Sequence, residues 1–210
     1  MERIAFNGNP NIGLLGFLTN EFLILGAGIT VDEKHLKKAL GVDILQTRIA
    51  GTDVVGLFLN GTEKKVLVPD ILFDHELDAL KQHLTVEVIK TRHTALGNNL
   101  IVTPQKILAN RDMEKPVITK LGAKPFFFGD THVIGVASAH NSQAMIVTPD
   151  ATAQHIAFLE KELGLTVGIG TTNFGNKMVG AGILVNDTGM LVGTSTSGPE
   201  FMRLKEVFDF

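Results

Sequence analysis

An apolar residue followed by glycine occurs five times along this chain in near-register: Ile12-Gly13, Val55-Gly56, Leu96-Gly97, Ile134-Gly135 and Val179-Gly180. The glycines fall 43, 41, 38 and 45 residues apart. About ten positions after each comes a second apolar run: Phe22 to Leu25, Val66 to Val68, Ile107 to Ala109, Met145 to Val147 and Met190 to Val192. A single apolar-glycine pair signifies little, but five with the same downstream order mark internal repeats of about forty residues. Such repeats fill the 210 residues without remainder. The expectation is one closed domain over residues 1–210, with repeats starting near 12, 55, 96, 134 and 179 and no linker.

Val179 to Gly193 shows the opening of a unit most clearly. A short apolar strand leads to the polar turn Asn186-Asp187 and into a second apolar run, a hairpin signal. Helical patterns then follow in each unit. Asp32 can cap Glu33 to Leu40 with Gly41 as the stop, and Asp74 is expected to cap a segment with Leu77, Leu80 and Leu84 at helical spacing. Asp112 to Leu121 is the weakest because Pro116 is tolerable only in a first turn. Ile156, Leu159 and Leu163 repeat the spacing ahead of Gly164, and Ser197 with Glu200 forms a capping box ahead of Phe201, Leu204 and Phe208. Four of the helices lead to another short apolar strand: Asp43 to Leu45, Val86 to Ile89, Pro125 to Phe128 and Thr166 to Ile169.

Each unit therefore reads strand, strand, helix, strand and is too small to bury its own apolar face. Stacked in a closed ring, five such units give an α/β propeller of ββαβ-like repeats about a fivefold pseudo-symmetry axis. All-β propellers have a similar period, but the helical patterns count against one.

Composition narrows the chemistry. Cysteine is absent, which excludes disulfides, thiolate metal sites and a thiol nucleophile. A net charge of −3 argues against a broadly basic nucleic-acid clamp. No basic, apolar leader is visible, and Ile12 to Val31 is interrupted by Thr19, Asn20 and Glu21, so a soluble, cytoplasmic protein that does not span a membrane is expected. None of the seven histidines has metal-ligand spacing, and neither a metal nor a cofactor is expected. His35, His75, His83 and His155 fall on helices as solvated residues. His132 and His140 flank the fourth glycine step, near the pseudo-axis, in plain polar roles. Ser195 and Ser197 lack a nucleophile elbow, and Gly26-Ala-Gly28 and Gly168-Ile-Gly170 lack the third glycine of a dinucleotide loop. The basic groups Lys34/Lys37/Lys38, Lys64/Lys65 and Lys90/Arg92 read as solvated faces, and Phe126 to Phe128 as core.

Asparagines cluster near the glycine steps: Asn7, Asn9 and Asn11 before the first, Asn98 and Asn99 at the third, Asn173 before the fifth. If the ring closes, these entry loops share one end of it. They then suit a protein contact, although turn-forming habit explains asparagine equally well.

The order Ile12-Gly13, Leu18-Thr19-Asn20, Val66-Leu67-Val68-Pro69, Ala95-Leu96-Gly97-Asn98, Gly170-Thr-Thr-Asn173-Phe-Gly175 and Ala181-Gly182-Ile-Leu-Val-Asn186-Asp187 closely resembles the translation initiation factor 6 family, the ribosome anti-association factors of archaea and eukaryotes. The resemblance runs through essentially the whole chain, which stops without the C-terminal tail of eukaryotic members and so looks archaeal. It implies a pentein-type fold and a non-enzymatic monomer that binds the large ribosomal subunit on its intersubunit face. There the partner is chiefly a ribosomal protein near the sarcin-ricin loop, with some rRNA contact, and the small subunit is kept away sterically. The ribosome-binding positions carried over by motif are Gly13, Leu57, Asn98 and Met178; Asn99 and Asn173, from the asparagine clusters above, are expected to join them. At Leu57 eukaryotic members carry arginine, and Met178 replaces an apolar residue of different shape. Guanidino-group hydrolases and transferases share the architecture, but they need the cysteine this chain lacks. A general RNA-binding protein is opposed by the acidic balance.

Overall fold

A computed structural model describes all 210 residues. An N-terminal strand, β1 (Glu2–Ile4), is followed by five units. The first comprises a one-turn helix α1 (Ile12–Leu15), the hairpin β2 (Gly16–Leu18) and β3 (Phe22–Gly26), helix α2 (Glu33–Leu40) and β4 (Asp43–Thr47). The second comprises α3 (Val55–Phe58), β5 (Asn60–Thr62), β6 (Lys65–Pro69), α4 (Asp74–Lys81) and β7 (Val86–Ile89). In the third come α5 (Leu96–Asn99), β8 (Leu100–Val102), β9 (Ile107–Asn110), α6 (Lys115–Lys120) and β10 (Lys124–Phe126). The fourth has β11 (Ser138–His140), β12 (Ala144–Val147), α7 (Ala153–Leu163) and β13 (Thr166–Ile169). A 3-10 turn (Val179–Gly182), β14 (Ile183–Val185), β15 (Met190–Gly193) and α8 (Gly198–Phe208) make the fifth.

Each unit builds one three-stranded sheet, with an antiparallel hairpin and a third strand parallel to its middle strand. The fifth unit has no third strand of its own. β1 takes that place, parallel to β15 with Arg3 opposite Val192, so the two ends of the chain share one sheet. Sequence patterns alone leave Glu2 to Ile4 unassigned, because three residues carry too little periodicity to register.

The middle strands are buried on both faces, and their alternate residues enter different cores. Leu23 and Leu25 pack with Leu36 and Leu40 of α2 and with Leu184 and Leu191 of the fifth unit. Phe22 and Ile24, on the other face of β3, pack with Leu80 of α4 in the second unit. Ile118 of α6 likewise packs in one cluster with Leu67 and Ile89, Leu159 of α7 with Leu108 and Phe126, and Leu204 of α8 with Ile146. Every hydrophobic core thus lies between neighbouring units, and each helix covers the sheet of the unit before it. A continuous apolar run of four or five residues is what such a doubly covered strand requires.

Each apolar-glycine step lies just ahead of the first hairpin strand of its unit. Four lie in a single helical turn and the fourth, Ile134-Gly135, in a non-helical turn; the first hairpin strand begins within a few residues. Their apolar residues Ile12, Val55, Leu96, Ile134 and Val179 are fully buried. The glycines meet around the axis. A Cβ on Gly13 would lie well under 3.0 Å from the Gly180 carbonyl oxygen, one on Gly56 from that of Gly13, one on Gly97 from that of Gly56, and one on Gly135 from that of Gly97. Gly180 closes the circle against the carbonyl oxygens of Val136 and Ser138, and its N–H donates to Val136 at 2.8 Å.

Two of the expected helix starts shift by one to three residues. Phe73, not Asp74, caps α4, because Glu76 reaches back to its N–H at 3.0 Å. α6 starts at Lys115 with Glu114 as the cap and Pro116 in the first turn, where its missing N–H is harmless. Ser197 and Glu200 form the expected box, and Asp32 caps α2.

Replacing Gly97 by alanine is expected to destabilise the protein by about 3–5 kcal/mol, since backbone must move at the axis. Gly198, at the start of α8 with open space around its Cα, should accept alanine within about 0.5 kcal/mol. Chemical denaturation of both variants checks the contrast; equal stabilities would refute closure by the glycine ring.

Candidate functional site

Two ends of the axis are distinct. The innermost strands of the five hairpins line an axial cavity of about 160 Å³, with Leu14, Asn98 and Val136 beside the glycine ring and Leu18, Val102 and His140 toward the hairpin tips. At the tips it opens into a wider, polar hollow of about 470 Å³ walled by the hairpin turns, including Asn20, Glu63, Gln105, Ser142 and Asn186. Tips of neighbouring units are tied together: Asn20 Nδ2 donates to Asp187 at 2.8 Å, the Asn20 N–H to Glu63 at 3.0 Å, and the Ser142 N–H to Asp187 at 2.8 Å. His140 sits in this wall half-buried. Burial lowers its pKa, partly offset by the nearby carbonyls of Asn141 and Val102.

At the glycine end, the residues singled out from the sequence separate into two groups. Gly13, Leu57, Asn98 and Met178 are half-exposed. Leu57 and Asn98 occupy matching places, each directly after its unit's ring glycine, and Met178 caps the 3-10 turn of the fifth unit. The Asn98 side chain makes no hydrogen bond within the chain, leaving a free amide.

Asn99 and Asn173 are engaged inside. Asn99 is 6 % exposed; its amide donates to Ala95 O at 2.8 Å and its oxygen accepts from Asn110 at 2.7 Å. The Asn173 amide donates to Pro10 O at 2.9 Å and to Asn11 at 3.2 Å, fastening the fifth unit to the first. Asn7 is spent on a turn, donating to Gly28 O at 2.8 Å and accepting from the Thr30 N–H at 3.1 Å.

The comparisons with known proteins bear on the whole of this arrangement. The model of the eIF-6 family matches residues 1–207. The chain belongs to the eIF-6 family. It is 33 % identical over 215 aligned residues to translation initiation factor 6 of Nanoarchaeum equitans, covering 99 % of both chains. Identity to translation initiation factor 6 of Saccharolobus islandicus is 28 %, covering 98 % of this chain and 97 % of the relative, and to that of Methanosphaerula palustris 27 %, covering 100 % and 98 %. The five-unit α/β ring is the pentein-type architecture expected of an eIF-6 family member.

In this eIF-6 family chain the remaining sequence-derived candidates resolve into structural roles. Lys37, Lys65 and Arg92 pair with Asp43, Glu87 and Glu114, which breaks up the basic groups. Phe126 and Phe128 are core, while Phe127 lies under the Arg111 guanidinium at 4.0 Å. His155 is not solvated as expected: it completes the cap of α7, accepting from the Thr152 N–H at 3.1 Å, with its ring edge-on to Phe126 and Phe128. His83 lies just past the end of α4. His132 binds Asp112, outside the axis lining. No group of three His, Cys, Asp or Glu side chains is placed to hold a metal ion. No helix is long and apolar enough to cross a membrane.

Carboxylates at helix N-termini also rigidify the turns behind the glycine end. Glu76, 3 % exposed, accepts from the N–H groups of Ala50 and Gly51 at 2.8 Å each. Glu114 accepts from the Arg92 N–H and the Thr91 hydroxyl, which hold it well below the usual carboxylate range. Glu200 accepts from Ser197 and Gly175 N–H at 2.7 Å and from the Thr171 hydroxyl at 2.7 Å. Burial raises the pKa of Glu200, but these donors outweigh it and set the value at about 2. The signal available in sequence was an acid at the third helix position for Glu76 and Glu200 and at the cap for Glu114; their long-range partners were not.

Because the folded pKa of Glu200 lies below its unfolded value of about 4.3, its stabilisation is complete above that value and is lost as pH falls toward 2. Glu200→Gln should cost about 1–2 kcal/mol at pH 7, near the lower figure because the carboxyl keeps some water access. The gap to the parent should close by pH 2 in urea titrations at graded pH. A gap that does not depend on pH would show that ionisation plays no part.

Proposed function

We propose that this chain is a translation factor that binds the large ribosomal subunit on its intersubunit face through the glycine end of the ring and keeps the small subunit away by occupying space. The observation that carries the reading is the match to the eIF-6 family along residues 1–207, with curated relatives named translation initiation factor 6 at near full length. Residues 1–210 act as a single closed domain and as a monomer, since a plug needs stiffness rather than a moving part. The protein works in the cytoplasm without cofactor, metal or catalysis.

Gly13, Leu57, Asn98 and Met178 are the contact positions; Asn99 and Asn173 support them from beneath. A patch of glycine, two apolar side chains and one free amide suits close approach of a protein surface, and contact with a ribosomal protein near the sarcin-ricin loop dominates over rRNA. That weighting follows from the charge: the chain is acidic overall, and the basic residues Lys37, Lys65 and Arg92 are already paired with carboxylates.

Asn98→Lys should reduce co-sedimentation with isolated large subunits at least tenfold and restore subunit joining, with the thermal midpoint nearly unchanged. Asn99→Ala should instead destabilise by about 1–3 kcal/mol by orphaning Asn110 and leaving a void. Failure of the parent protein to pellet with large subunits in mild salt would overturn the proposal.

A further inference from the structure

The turn that precedes the central step recurs in four units as a small bridge. Phe6 with Asn9, Ile49 with Thr52, and Phe128 with Thr131 each close over two residues, whereas Thr172 with Asn176 closes over three. The fifth turn is one residue longer, and its middle residue is Phe174.

Its backbone is held in a conformation that an aromatic residue avoids. Asn173, Phe174 and Gly175 have φ of 48°, 67° and 88°, all left-handed. The ring is 85 % exposed and stacks on no other ring. The other prominent exposed phenylalanine, Phe73, is 53 % exposed and stacks on His75. A lone exposed apolar residue needs no explanation. One held out in a strained backbone does, particularly when the surroundings brace the strain. Glu200 accepts from the N–H groups of Phe174 at 3.2 Å and Gly175 at 2.7 Å, and Asn173 is pinned through its N–H to Thr196 and through its amide to Pro10. Strain fixed from several sides is characteristic of contact sites.

We infer that Phe174 is an apolar anchor that enters a pocket on a protein component of the docking partner, at the rim of the glycine end. This rests on the docking proposed above and extends it to a residue outside the central patch. The turn runs within four residues into Met178, and its Asn173 amide holds Asn11 at the start of the first unit, so Phe174 is continuous with that face. A protein pocket fits better than a stacked base. The neighbouring cation, Lys177, is paired with Asp150 at 2.7 Å, and the Glu200 carboxylate lies under the turn. A phosphate strand passing here would meet fixed negative charge instead of free cations. A pre-set aromatic side chain loses little freedom on docking, which is the property of interface anchors.

Phe174→Gly, Phe174→Leu and Asn98→Lys tested together decide the matter. Phe174→Gly should bind isolated large subunits about tenfold more weakly or worse, at low and raised salt alike, with a thermal midpoint unchanged or higher because glycine tolerates the turn. Phe174→Leu should retain most of the binding. Normal binding by Phe174→Gly alongside a defective Asn98→Lys would overturn the anchor and leave the docking face standing. A lowered thermal midpoint of Phe174→Gly would overturn it too, since the ring would then be structural. Loss of binding to protein-free rRNA on Phe174→Gly would overturn the protein pocket. If the parent protein does not pellet, the docking proposal and the anchor fall together.

Discussion

Contact between a glycine of each unit and carbonyl oxygens of the unit before it is the constraint on which the rest of the ring depends. Five units can approach one axis only if nothing projects inward from the point of closest approach, and a single methyl group there would already collide with backbone. Side chains can change rotamer to relieve a clash, whereas carbonyls within a closed ring have nowhere to go. The fully buried apolar residue just before each glycine fixes the turn to the core behind it, so each step joins a packed layer to the axis.

Closure has a second consequence. Because each helix covers the sheet of the preceding unit, no unit is complete without its neighbours, and the chain ends must meet. The seam between the fifth and first units is accordingly dense. β1 joins β15, Asn186 donates to the carbonyls of Thr19 and Leu40, and Asn173 donates to Pro10. Polar side chains that look available for binding in the sequence are largely consumed here and at Asn99, as buried polar groups must be. What remains at the glycine end is a surface with few free polar groups.

Five repeats, their order and the type of fold were legible in the chain because each unit obeys the same local rules. A buried middle strand reads as a continuous apolar run, a helix with one covered face reads at helical spacing, and glycine marks the axis. The structure corrected what local rules cannot carry. The glycine steps are mostly helical turns, since four residues hold too little pattern to separate a turn from a strand start. β1 is not legible in the sequence because its partner, β15, lies at the far end of the chain. Histidine at position 155 completes a cap, a role set by Thr152 and the Phe126–Phe128 cluster together.

Sequence by itself determined the number of units, the absence of thiol chemistry and the family, because repetition, composition and ordered motifs are properties of the string. Tertiary structure alone decided which asparagines face outward and which hold seams, and that Phe174 is carried on a braced, left-handed turn. A side chain's availability depends on partners from other units, here more than 160 residues away for Asn173 and Pro10. Spacing along a chain contains no record of distances that only ring closure creates.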